Sequence, residues 1–95
     1  MKYELAIVIK PLSNEDIREK VYPKIVKTIE KLNGKVSKSD FVGKRLLAYE
    51  IDGNKEGYYI FSKVELTSAN AEKLQETLRS TKELLRYMLV KESTL

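Results

Sequence analysis

The sequence contains no cysteine, no histidine and no tryptophan. Without cysteine there is no disulfide framework and no thiolate nucleophile or metal ligand. Without histidine the commonest general base is missing too. Catalysis by carboxylates alone needs a nucleophile or a phosphate-cradling loop beside them. Glu15, Asp16, Asp40 and Asp52 instead read as cap and loop residues, and the four glycines lack phosphate-loop spacing. These absences predict that the chain is not an enzyme, carries no cofactor or metal and takes no small-molecule substrate. Long apolar runs are also scarce. The first, from Leu5 to Ile9, is bounded by Glu4 and Lys10 and is far too short for a signal-peptide core or a membrane span. A cytoplasmic location without membrane contact is therefore expected.

What is present fits one compact α+β domain over residues 1–95. Hydrophobic residues make up 42% of the chain and charged residues 34%, enough apolar surface to offset the entropy of ordering. The net charge of +4 favours an anionic partner, but only modestly.

Tyr3-Glu4-Leu5-Ala6-Ile7-Val8-Ile9 is rich in β-branched and aromatic residues and stops before Pro11, so it reads as a strand. Its nearly unbroken apolarity suggests a central one. Ser13 then offers a helix N-cap, with Asp16 three residues on. Ile17, Val21, Ile25, Ile29 and Leu32 recur at helical spacing up to Asn33-Gly34. Pro23 lies inside this helix and predicts a kink or break near Tyr22.

Residues 36–51 read as a long second strand with a bulge around Phe41-Val42-Gly43, in which Leu47, Tyr49 and Ile51 alternate as inward positions. A polar connection over residues 52–57 leads into an antiparallel third strand over 58–66. Thr67 or Ser68 caps a second helix with Ala71, Leu74 and Leu78 as its buried stripe. Residues 83–91 make the last strand, and the tail to Leu95 is expected to fray.

The order βαββαβ predicts a ferredoxin-like sandwich, a four-stranded antiparallel sheet with both helices on one face. If Leu5, Ile7 and Ile9 face the helices, then Ala6, Val8, Tyr59, Phe61, Lys63, Arg86, Met88 and Val90 share the opposite face. Aromatic and aliphatic side chains beside Lys and Arg suit burial against a polypeptide or stacking on bases. Tyr59, Phe61, Lys63, Met88 and Val90 are accordingly the candidate protein-partner face. Lys44 and Arg45, beside the suspected bulge, are candidate phosphate contacts. Lys2, Tyr3, Arg86 and Lys91 are expected to extend that basic patch, because the first and last strands are neighbours in this fold. Gly57-Tyr58-Tyr59-Ile60-Phe61 matches the aromatic strand of RNA recognition motifs poorly, since Glu56 precedes the glycine and Tyr59 occupies the small position.

Taken together, the motifs resemble a known family. Gly43-Lys44-Arg45-Leu46-Leu47-Ala48-Tyr49-Glu50-Ile51 is similar to the GRRxLAYPI segment of protein six of the bacterial small ribosomal subunit. The opening MKYELAIVIKP and the closing Leu85-Arg86-Tyr87-Met88-Leu89-Val90-Lys91 resemble the same family's first and last strands. Glu50 stands where the family usually has proline, and Pro23 is unusual in its first helix. The resemblance implies a ferredoxin-like fold and a structural role in translation. It also implies joint binding, with ribosomal protein eighteen, to the central domain of the small-subunit ribosomal RNA. On this resemblance Lys44 and Arg45 are the leading RNA contacts, with Lys2, Tyr3 and Arg86 secondary.

The competing reading is a regulatory or self-associating ferredoxin-like module whose aromatic face pairs with a second copy. An acylphosphatase-like enzyme would need an arginine in the loop after the first strand, which here reads Lys10-Pro11-Leu12-Ser13.

Overall fold

The computed structural model describes residues 1–92, so the tail over residues 93–95 lies outside the described residues. Four strands, β1 (Lys2–Ile9), β2 (Lys35–Ile51), β3 (Asn54–Glu65) and β4 (Leu84–Lys91), form one sheet in the order β2-β3-β1-β4. Every pairing is antiparallel. This is the ferredoxin-like arrangement expected from the element order. β1 is central, as its apolar run implies. Leu5, Ile7 and Ile9 are buried against the helices together with Tyr58, Ile60 and Val64 of β3.

The first helical segment begins where Ser13 caps it, its hydroxyl accepting from the Asp16 amide. It is not one regular helix. A short α1 (Asn14–Asp16) runs into a π-helical turn over Ile17–Val21 and then into α2 (Tyr22–Lys31). Tyr22 N–H reaches back to the Ile17 carbonyl, five residues earlier, and Pro23 becomes the second residue of α2. There its missing N–H costs little. The break expected near Tyr22 is therefore realised as a widened turn that keeps Ile17, Val21, Ile25 and Ile29 all buried.

α2 closes with Asn33 in the left-handed region, its amide donating to Glu30 O while the Gly34 amide donates to Ile29 O. This is a Schellman closure. α3 (Ser68–Arg79) is capped by Thr67, whose hydroxyl accepts from the Asn70 amide, and buries Ala71, Leu74 and Leu78 as its spacing predicts. The Asn70 side chain donates to Leu32 O at 2.7 Å, fastening the start of α3 to the end of α2.

Tyr22 supplies a polar link between the helical layer and the sheet. Its hydroxyl shares hydrogen bonds with Ser39 of β2 and with the buried Ser62 of β3. Its ring meets Phe41 edge-on, with centroids 5.0 Å apart.

The β2–β3 hairpin departs from expectation. The polar connection over 52–57 is only a two-residue turn, because pairing already resumes at Asn54 opposite Ile51. Asp52 and Gly53 have φ of 49° and 78°, the left-handed pair of a type I′ turn. β2 has 17 residues and β1 only 8, and β1 ends at the Ile9–Tyr58 pair. The hairpin beyond that rung therefore continues as an arm with no β1 alongside it.

Candidate functional site

The sheet face away from the helices carries the residues that strand alternation assigns to it. Pairing sets Ala6 between Phe61 and Met88, Val8 between Tyr59 and Arg86, and Glu4 between Lys63 and Val90. Side chains opposite each other in an antiparallel pair share a face. Phe61, Met88 and Val90 are exposed by 45%, 60% and 49%, a contiguous apolar row on a face that no helix of the described residues covers. A concavity of about 420 Å³ follows this row, floored by Ala6, Phe61, Met88 and Val90 and rimmed by Glu4, Lys38, Asp40 and Lys63. Lys63 Nζ lies 3.9 Å from Glu92 Oε1, a loose and partly exposed pair.

Toward one end of this face lie Arg45 and Arg86, on opposite edge strands, whereas Lys44, opposite the buried Tyr58, is set on the helix side. The register shifts between Phe41 and Gly43, confirming the bulge, and Lys44 and Arg45 follow it fully exposed. Arg45 Nη1 donates to Lys44 O at 2.8 Å, which leaves the rest of its guanidinium fork facing outward. Arg86, on the opposite edge strand β4, has its guanidinium carbon 5.0 Å from the centre of the Tyr49 ring.

Lys2 and Lys91 do not join this group. Lys2 pairs with Glu65 and Lys91 with Tyr3, at the opposite end of β1 from the Val8–Arg86 rung. Six residues of strand separate Lys2 from Val8, about 20 Å. Tyr3 is a correction of a different kind. It shares the helix-facing side with Leu5, is 7% exposed and belongs to the core, its hydroxyl pointing to the Met1 sulfur.

Tyr49 is the other reversal. Alternation with Leu47 and Ile51 predicts an inward position, yet Tyr49 is 58% exposed and Leu46 79%. Both sit on the arm, past the end of β1, and Tyr49 turns to the open face, where it meets Arg86, rather than to the helix side. The signal for this was length, because a 17-residue strand cannot be matched by an 8-residue neighbour. Gly57 lies where the arm leaves the sheet, and a Cβ there would run into the Val8 side chain and touch Leu47. The absent side chain lets the arm close over Val8, which is buried although it lies on the open face.

Away from this face, the nearby Tyr87 hydroxyl favours the charged form of Arg79 and raises its guanidinium above the ordinary value. No group of three or more Asp or Glu residues that could hold a metal ion occurs among the described residues, and no helix of the described residues is long and apolar enough to cross a membrane.

The family model described as ribosomal protein S6 matches residues 2–91, nearly the whole chain. The chain belongs to the ribosomal protein S6 family. Small ribosomal subunit protein bS6 of Desulforudis audaxviator is 33% identical over 91 residues, covering 96% of this chain and 97% of the relative. The bS6 of Dictyoglomus turgidum is 36% identical over 89 residues, covering 93% and 91%. Among solved structures, the 30S ribosomal protein S6 from Thermotoga maritima superposes with a TM-score of 0.85 at 30% identity, covering 96% of this chain and 86% of that one. Within an S6-family fold, Gly43 to Ile51 is thus the bulge and outgoing strand of the hairpin arm, and Leu85 to Lys91 is the edge strand β4.

Proposed function

We propose that this S6-family chain is a structural constituent of the small ribosomal subunit in the cytoplasm. It binds the central domain of the small-subunit ribosomal RNA together with ribosomal protein eighteen, without catalysis. One observation carries this reading: a sheet face that combines an apolar row, Phe61, Met88 and Val90, with two exposed arginines, Arg45 and Arg86, toward its end. The apolar row gains most by burial against another polypeptide, so Tyr59, Phe61, Lys63, Met88 and Val90 are assigned to the protein partner. Long exposed cations gain most by releasing counterions from phosphate, so Lys44, Arg45 and Arg86 are assigned to RNA. Lys2 and Lys91, at the far end, contribute a separate and weaker contact. The relatives' own names, small ribosomal subunit protein, support the same assignment.

The test is binding of the purified chain to a central-domain RNA fragment, with and without protein eighteen, across a salt series. Tight binding that requires the partner is expected. No binding in either arm, together with a stable homodimer, overturns the reading and makes the face a self-association surface.

A further inference from the structure

α2 and the π turn before it carry a second cationic surface, on the opposite side of the molecule from the open sheet face. Lys20, Lys24, Lys27 and Lys31 are all exposed and line one shallow depression of about 410 Å³ together with Pro23, Thr28 and a single carboxylate, Glu19, at its edge. Spacings of four, three and four residues keep them on one helical stripe about 16 Å long.

Local stability does not account for the stripe. Lys20 with Lys24, and Lys27 with Lys31, are like charges at i and i+4, an arrangement that weakens a helix. Only Lys31, in the last turn, is favoured by the helix dipole. Asp16 lies 3.4 Å from Lys20, an exposed pair that yields readily to a stronger anion, whereas Lys24 stands 3.6 Å from the buried Oε1 of Glu83 and is held more firmly. Lys27 and Lys31 have no acidic partner within ion-pair distance among the described residues.

We infer that this stripe is an RNA-binding surface in its own right, taking the phosphate backbone of a duplex segment without regard to sequence. Two observations favour RNA over an acidic protein. The stripe carries no large apolar or aromatic side chain of the kind that anchors protein interfaces. Its cations form a regular row on a rigid rod, which suits a polymer with evenly spaced charges. The inference rests on membership of the S6 family and on this geometry, and not on the partner assigned to the sheet face.

The test uses the full chain and a short fluorescent RNA duplex of arbitrary sequence, so it does not depend on the central domain or on protein eighteen. Amide chemical shifts should move along α2 on titration. The double variant K27A/K31A should lower the slope of log affinity against log salt by about two, as loss of two phosphate contacts requires. Its thermal midpoint should stay level or rise, because like-charge repulsion is relieved and alanine favours helix, so lost binding will not reflect unfolding. Shifts confined to the sheet face, or an unchanged slope, overturn the inference. Tighter binding of a poly-glutamate peptide than of the duplex at α2 overturns the choice of RNA. A chain that passes here and fails with the central-domain fragment loses the function proposed above and keeps this surface.

Discussion

The Arg86 guanidinium stands 5.0 Å from the centre of the Tyr49 ring, although the two residues belong to strands at opposite edges of the sheet. Three inter-strand spacings, about 14 Å, separate the two edges within the sheet plane. The contact exists because the β2–β3 arm runs past the end of β1 and curls across the open face towards β4. A cation–π contact at an exposed site contributes about 0.5–1 kcal/mol. It therefore steers the arm more than it stabilises the fold.

Tyr49→Ala should leave the denaturation midpoint nearly unchanged, with a loss below about 1 kcal/mol. Amide hydrogen exchange in the arm, around Leu46 to Asn54, should accelerate while β1 and β3 stay protected. Unchanged arm exchange would show that the Arg86–Tyr49 contact does not hold the arm.

Gly57→Ala places a methyl group against Val8. Overpacking at such a site costs about 1–3 kcal/mol. In a urea-denaturation double-mutant cycle, Val8→Ala should recover part of that loss, since the smaller side chain makes room for the new one. Strictly additive losses would place the strain elsewhere.

Tyr22→Phe removes the hydroxyl shared by Ser39 and Ser62 and leaves the buried Ser62 without its side-chain partner. The expected cost is about 1–3 kcal/mol, the penalty of an unsatisfied buried polar group. Ser62→Ala in the Tyr22→Phe background should restore stability, because the one buried hydroxyl left without a partner is then gone and Ser39 is exposed to water. A double variant no better than Tyr22→Phe alone counts against the hydrogen-bonded pair.

Arg45→Ala should weaken binding to the central-domain RNA by a few-fold to about tenfold and lower the salt slope by about one, as loss of one phosphate contact does. Phe61→Ala should instead reduce affinity for protein eighteen with little change in the salt slope, since apolar burial releases no counterions. An Arg45 variant with an unaltered slope removes that residue from the RNA contacts.

Much of the architecture was legible from local chemistry alone. Ser13 and Thr67 as caps, the buried stripes of both helical segments, the bulge before Gly43 and the partition of β1 and β3 between two faces all follow from periods of two and 3.6 residues and from capping preferences. These properties depend on neighbours a few residues apart, and a sequence displays such neighbours directly. The absence of cysteine and histidine likewise excluded whole classes of chemistry before any geometry was known.

Other features depended on which strand ends lie side by side. The rule that puts Tyr3 on a face cannot say whether that face is covered, and the α-helical layer buries it. The same alternation that correctly buries Ile60 wrongly buries Tyr49, because the arm beyond β1 turns Tyr49 to the open face, against Arg86, where no helix of the described residues packs. The cations Lys2 and Lys91 share neighbouring strands with the Arg86 region, yet antiparallel register carries them to the far end of the sheet. The sequence by itself determined the elements, their order and the excluded chemistry, since those are short-range consequences of residue type. Tertiary structure alone decided which side chains remain in water and which cations converge, since both depend on strand overhang and register, quantities set by contacts between residues far apart in the chain.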